Sequence, residues 1–314
     1  MKVASMFSGI GGIDLGFSQA GFDIVWANEI DKYASNTYKF NFDHNNLQEG
    51  DIRKIDPNSI PDFDVLVAGF PCQSFSTAGK QRGFDDSRGS LFFEVVRVVE
   101  VKKPKVIFIE NVENLVNHNG GKSFLVVYNA LAPMGYTFKY KVLEPYEYGN
   151  VPQKRARVFI IGFREESDCV RFSFPEKMEL TNNLCDMFDR GIKHSDCYYY
   201  DDNSRYYKEL KTLVTRKDCV YRIYDWGISK KAHLLCPTIT AYTEACPERI
   251  PIILDDYGIR RLTPYECLKL QGYPDDFKFA PGTPLRKAYK HCGNTVCVPV
   301  VSRIAEKIKE VVFK

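Results

Sequence analysis

Short apolar runs at residues 3–7, 22–28, 65–69, 106–110, 139–143 and 158–163 recur through the first half of the chain, separated by segments of helical or turn character. Runs of this length predict strands, and their alternation with helices predicts an α/β sheet covered on its faces. In such sheets ligands collect beyond the carboxyl ends of the strands. Ser8, Glu29, Asp51, Cys72 and Glu110 fall at those ends.

From residue 171 to 257 the pattern breaks. Turns are frequent, helical periodicity is weak, and aromatic residues such as Tyr198, Tyr199, Tyr200, Tyr221, Tyr224 and Trp226 are interleaved with Arg205, Lys208, Lys211, Arg216 and Arg222. This composition predicts a smaller, loop-rich domain. A helical period returns over residues 296–312, where Val300, Ile304, Ile308 and Val311 lie between lysines and glutamates. It predicts a closing helix whose apolar face packs on the first domain. The expected organisation is therefore residues 1–170 as the first part of the main domain, 171–280 as an insert, and 281–314 as the return.

The composition narrows the function classes. A chain of 314 residues with 44% hydrophobic content can bury a sizeable core. No apolar run approaches the ~20 residues that cross a bilayer, and the first residues lack an export pattern. Membrane insertion and secretion are not expected, and a cytoplasmic location is. The 10 cysteines form no CxxC pair or Cys/His cluster with zinc spacing, so reduced thiols and no metal are expected. A formal charge of +3 neither requires nor excludes a polyanion.

Phe7-Ser8-Gly9-Ile10-Gly11-Gly12 is a glycine-rich turn between a strand and a helix, where a ligand can approach the backbone. It is not the dinucleotide fingerprint, because Asp14 stands where the last glycine of G-x-G-x-x-G belongs. A carboxylate at Glu29 can accept from both hydroxyls of a ribose, and Asp51 can accept from an adenine amino group. Each alone is as well read as a surface carboxylate or a cap; with the turn they outline a nucleoside-shaped site.

Cys72, in Pro71-Cys72-Gln73-Ser74, directly follows the apolar run 65–69, where a thiolate can be stabilised by loop amides. Glu110 ends a parallel run one strand over, a costly place for a charge without a partner or a task. The two make a nucleophile and acid pair. Arg155 and Arg157, two residues apart at the start of a strand, are expected to point to one face and hold the same ligand, or to line a solvated edge.

Taken in order, Phe7 to Gly12, Pro71-Cys72-Gln73, Arg88-Gly89-Ser90-Leu91-Phe92-Phe93-Glu94, Glu110-Asn111-Val112, Gln153-Lys154-Arg155-Ala156-Arg157, the run 261–277 and Gly293-Asn294-Thr295-Val296 closely resemble the motifs of the bacterial cytosine-C5 DNA methyltransferases of the restriction-modification type. The resemblance implies a Rossmann-like S-adenosylmethionine-dependent fold, with the loop-rich insert as target-recognition domain before the C-terminal helix. It implies transfer of a methyl group to C5 of a flipped-out cytosine in a short sequence of double-stranded DNA, leaving S-adenosylhomocysteine. Cys72 is then the nucleophile at C6, Glu110 the partner of N3, and Arg155 and Arg157 the positioners of the base or its phosphates.

The same resemblance assigns Phe7, Gly9, Ile10, Gly12, Glu29, Ile30, Asp51, Ile52, Pro71, Leu91, Asn294 and Val296 to the cofactor pocket. It gives the loop 79–89, with Arg82 and Arg88, and the segment around Thr238 to DNA. A monomer is expected, with a cognate restriction endonuclease acting separately. The alternatives are an RNA cytosine methyltransferase of the same fold and a DNA-binding relative without catalysis. Pro-Cys-Gln-Ser-Phe favours DNA over RNA, and intact Cys72 and Glu110 favour catalysis.

Overall fold

The computed structural model describes residues 1–43, 46–71, 91–224, 227–229, 233–244 and 246–313. Contacts divide them into a larger unit, residues 1–143, 156–176 and 298–314, and a smaller one, residues 144–155 and 177–297.

The larger unit is built on a sheet of β1 (Lys2–Met6), β2 (Asp23–Glu29), β3 (Leu47–Glu49), β4 (Val65–Ala68), β5 (Val106–Val112), β6 (Thr137–Leu143) and β7 (Arg157–Phe163), in the order β3-β2-β1-β4-β5-β7-β6. β1 to β5 pair in parallel, whereas β7 inserts antiparallel between β5 and β6. The central strands are buried on both faces, which is why β4 and β5 read as continuous apolar runs rather than alternating ones.

On one face Ala4, Met6, Leu66, Ile107 and Ile109 share a core with Phe92, Val95 and Val99 of the helix Leu91–Lys102. On the other, Phe17 of the helix Gly12–Gln19 meets Phe108 edge to face at 5.1 Å. The closing helix runs over Val298–Val312 and buries Val300, Ile304 and Ile308. It packs on the helix Gly12–Gln19 so closely that a Cβ on Gly16 would come within 2.7 Å of Val301. Strand order reverses between β1 and β4, and a doubly wound sheet opens its ligand crevice outside the carboxyl ends there.

The smaller unit has little regular structure: the antiparallel pair Ile252–Leu254 and Ile259–Arg261, the short pair Ile223–Tyr224 and Gly227–Ile228, and helices such as Tyr207–Leu213, Pro264–Lys269 and Leu285–Asn294. Leu210, Val214, Tyr221, Ile223, Ile228 and Ile252 form its core. Beside them Arg260, wholly buried, donates to Asp255 at 2.6 Å and to both oxygens of Glu266 at 2.7 Å. Glu266 also closes a capping box with Thr263, with Pro264 in the first turn, so the Arg-Leu-Thr-Pro segment starts its helix with every polar group matched.

This division differs from the expected one at 170/171 and 280/281. Residues 144–155 go with the smaller unit because Glu147 O accepts from Met178 N at 2.8 Å and Lys154 N donates to Cys236 O at 2.9 Å. Residues 281–297 stay there too, since Tyr289 donates to Leu262 O and Gln271 to Cys292 O. Only the last helix returns. Apolar periodicity marks a helix with a buried face but not the body on which that face lies.

Candidate active site

Beyond β1 the chain turns through left-handed backbone at Phe7 (φ 59°), Gly9 (φ 57°) and Gly11 (φ 86°). At Phe7 that conformation costs energy, and such strain is concentrated where surrounding structure enforces a site. The turn is pinned by Glu29 at the end of β2: Gly9 N donates to Oε2 at 2.8 Å, while Ile30 N and Asp31 N donate to Oε1 at 2.9 and 2.7 Å. Burial raises the Glu29 carboxyl above its ordinary value, against the pull of these amides.

Gly50 N donates to Glu29 O at 2.8 Å, and Asn28 Nδ2 donates to the carbonyls of Gln48 and Gly50, joining the ends of β2 and β3. Gly9 and Gly50 each face open space where a side chain would stand. Ile30 follows Glu29 and is 66% exposed.

Other expected cofactor residues take different places. Asp51 caps the turn Ile52–Lys54, and both its oxygens meet the Arg53 guanidinium, whose hydrogen bonds hold the carboxyl down at about 2. Ile10 and Ile52 are buried, Ile52 in the shared core, and Gly12 begins the helix Gly12–Gln19. Pro71 and Leu91 are half-buried at the borders of the described residues, and Asn294 and Val296 belong to the smaller unit.

Three residues that the sequence left without a site role hold these pieces. Arg97 donates to the carbonyls of Ile52 and Ile55 at 2.8 and 2.9 Å and to Glu94 at 2.8 Å, fixing the turn after β3 to its helix. Asp14, wholly buried behind the glycine turn, accepts from Ser5 at 2.5 Å and from Tyr38, and burial lifts its carboxyl to about 6. Asn111 Nδ2 donates to Phe70 O at 3.2 Å, holding the chain that leaves β4. A buried polar residue in an apolar strand or in a first helical turn is the signal that marks Asp14 and Asn111 in the sequence.

Glu110 lies in β5, 8% exposed, with Oε1 at 3.2 Å from Arg157 Nε. A Cβ on Gly69, just past β4, would sit 3.7 Å from its other oxygen. The antiparallel register sets Val112 opposite Arg157, which brings the arginine to the glutamate.

Arg155 departs from expectation. At 2% exposure it donates to Ile239 O at 2.6 Å, Gly293 O at 2.9 Å and Thr295 O at 2.6 Å, all in the smaller unit, whereas Arg157 meets Glu110 in the larger one. Thr238 gives its hydroxyl to Lys154 O at 2.7 Å. Cys72, Arg82, Arg88 and the loop 79–89 lie outside the described residues.

A turn that exposes backbone beside a half-buried carboxylate, next to a strand-end glutamate clamped by arginine, is a site for a nucleoside and a polar planar group. Over residues 1–310 the chain matches the family model for C-5 cytosine-specific DNA methylase. The chain belongs to that family. This methylase is 45% identical over 311 residues to type II methyltransferase M.Bsp6I of Bacillus sp. (strain RFL6), with 98% of each covered. It is 36% identical over 313 residues to type II methyltransferase M.HhaI of Haemophilus parahaemolyticus, covering 98% of this chain and 94% of that one. In fold it is similar to the Entamoeba histolytica methyltransferase EhMeth (TM-score 0.76, 18% identity, 100% and 99% covered) and to S. pombe Dnmt2 (TM-score 0.74, 18% identity, 100% and 99% covered).

The activity of this methylase is S-adenosylmethionine-dependent methylation of cytosine C5 in DNA, of the restriction-modification type. The residues present fit that cofactor. Glu29 offers a half-buried acceptor suited to ribose hydroxyls, Ile30 an exposed apolar surface suited to adenine, and Gly9 and Gly50 leave room for close approach. No helix among the described residues is long and apolar enough to cross a membrane. Asp189, His194 and Glu266 bring ligand atoms within 4.8 Å of one another, but Glu266 serves Arg260 and Asp189 serves Lys269.

Proposed function

We propose that the methylase acts on double-stranded DNA at a short specific sequence, taking the target cytosine out of the stack, with Cys72 adding to C6 and Glu110 engaging N3. The observation that carries this reading is the Glu110–Arg157 pair at the end of β5, beside the end of β4, from which the sequence runs on through Pro71 to Cys72. C5 of cytosine is too weak a nucleophile to react unaided. Thiolate addition at C6, with a proton shared from Glu110 to N3, moves electron density onto C5.

S-adenosylmethionine, held by Glu29, Ile30 and the glycine turn, supplies the methyl group as an electrophilic sulfonium substituent. Methyl transfer to C5 would leave S-adenosylhomocysteine; loss of the C5 proton to solvent then expels the Cys72 thiolate and returns the N3 proton to Glu110. Arg157 holds the Glu110 carboxyl in place throughout. In this reading Arg155 acts at one remove, by fixing backbone in the smaller unit.

That unit serves as the target-recognition domain, which its mix of basic and aromatic residues favours, and Thr238 helps place its DNA-facing segments. Arg82 and Arg88 take phosphates, offsetting the few kcal/mol that unpairing a base costs. Asn294 and Val296 complete the cofactor pocket. The enzyme works as a monomer in the cytoplasm, and the type II names of its relatives favour a separate cognate endonuclease.

Transfer of a tritiated methyl group to mixed-sequence duplex DNA and, in parallel, to total transfer RNA tests this. Label is expected in DNA with wild type and absent with Cys72→Ser, whose DNA binding persists because it rests on phosphate and groove contacts. Label confined to RNA, or undiminished in the variant, would overturn the reading.

A further inference from the structure

After Thr240 the smaller unit makes two single turns, Ala241–Glu244 and Pro247–Arg249. The first is held firmly from behind. Thr243 is buried and gives its hydroxyl to Thr240 O at 2.8 Å. Arg286 donates to Glu244 O at 2.9 Å, and Lys287 to the Glu244 carboxylate at 2.7 Å. The helix Leu285–Asn294 approaches so closely that a Cβ on Gly293 would lie 2.2 Å from both Thr240 C and Ala241 N. A segment pinned in this way has a rigid backbone.

On that backbone Tyr242 stands 48% exposed. Cys246 N donates to Tyr242 O at 3.0 Å and Arg249 N to Cys246 O at 3.0 Å, which folds the second turn back on the first. The Arg249 guanidinium lies over the Tyr242 ring at 4.6 Å, closer than Arg205 over Tyr206 at 5.0 Å or Arg222 over Tyr224 at 5.3 Å. A ring face attracts a guanidinium through its π-electrons and occupies none of the five N–H donors. Stacking therefore fixes the plane of the fork without using it.

Two groups of DNA match such a fork, a backbone phosphate and the O6/N7 edge of guanine. The charges nearby decide between them. Glu248, next to Arg249, is exposed, and Glu244 ends the other turn. Carboxylates on both turns disfavour a polyanionic strand and leave the uncharged edge of a base pair. A fork of fixed plane on a rigid segment also suits base readout, where hydrogen-bond direction discriminates. We propose that Arg249, braced on Tyr242, reads a guanine in a base pair flanking the target cytosine by donating to O6 and N7 in the major groove. Arg249 is then a specificity-determining residue, and the recognition sequence holds a guanine besides the target pair. The inference rests on the duplex-DNA reading above.

Methylation of a DNA duplex pool randomised around the cytosine, read by bisulfite sequencing, tests this. Wild type is expected to demand guanine at one or more flanking positions. Arg249→Gln is expected to lower the preference for guanine at one of them by roughly 5- to 150-fold, with preferences elsewhere unchanged. Arg249→Lys should do the same, because an ammonium lacks the fork. Tyr242→Ala should loosen the same position, whereas Tyr242→Phe should keep it, since the ring face and not the hydroxyl braces the arginine.

Arg249→Lys and Tyr242→Ala keep the test open should Arg249→Gln fail to fold. A wild type without guanine preference at any flanking position would overturn the assignment, as would Arg249 variants that weaken all sequences alike. In the latter case a salt slope lowered by about 0.9 would assign Arg249 to a phosphate, and an unchanged slope with a lowered Tm would assign it to structure. Absence of wild-type methyl transfer to duplex DNA would instead overturn the reading on which the inference rests.

Discussion

Asp14 shows how one side chain can set conditions for the site without touching a ligand. Its carboxyl, wholly buried behind the glycine turn, is raised from 3.8 to about 6 by desolvation, against hydrogen bonds from Ser5 and Tyr38. A raised carboxyl binds its proton more tightly in the folded state, so its stabilising contribution is complete below pH 3.8 and is lost as pH climbs through 6. Asp14→Asn keeps an acceptor for Ser5 but does not titrate. Relative to wild type, the variant should gain about 1 kcal/mol between pH 5 and pH 7.5 in paired urea melts. A constant difference across that range would show that Asp14 does not titrate there. The sequence marked Asp14 only as the residue that breaks a dinucleotide fingerprint, because burial behind a turn depends on Ser5 and Tyr38, which lie on other elements.

At the scale of elements, strands were legible wherever burial on both faces makes the run continuous, as in β1, β4 and β5, and so were the strand-end positions of Glu29 and Glu110. The pairing of Glu110 with Arg157 was not, since it depends on β7 entering antiparallel between β5 and β6, an order no local pattern encodes. Nor was the approach of the closing helix to the first one, which turns on Gly16. Alanine there gains about 1 kcal/mol of helix propensity over glycine, but its Cβ meets Val301 at 2.7 Å and Ser302 N at 3.1 Å, and overpacking costs about 1–3 kcal/mol. Gly16→Ala should therefore lower stability in wild type, and by less in a Val301→Ala background, which removes the Cγ1 contact but keeps those of Cβ and of Ser302 N. A double-mutant cycle by urea unfolding measures the coupling, and equal effects in the two backgrounds would contradict the packing argument.

Over the whole molecule, the chain passes from the smaller unit to the larger between Arg155 and Ala156, two residues before it pairs Arg157 with Glu110. The spacing of the two arginines reads as one shared face, because their true partners are remote in sequence: the carbonyls accepting from Arg155 come from Ile239, Gly293 and Thr295. Removing its guanidinium strands buried carbonyls at about 1–3 kcal/mol each, too large a loss for a unit with so little regular structure to absorb. Arg155→Met should therefore speed hydrogen exchange across residues 177–297 while amides of β1, β4 and β5 keep wild-type protection, since their ladders lie within the larger unit. Methyl transfer should fall with the folded fraction of the smaller unit. Exchange unchanged throughout, with the rate of methyl transfer collapsed, would instead return Arg155 to direct contact with the base or its phosphates.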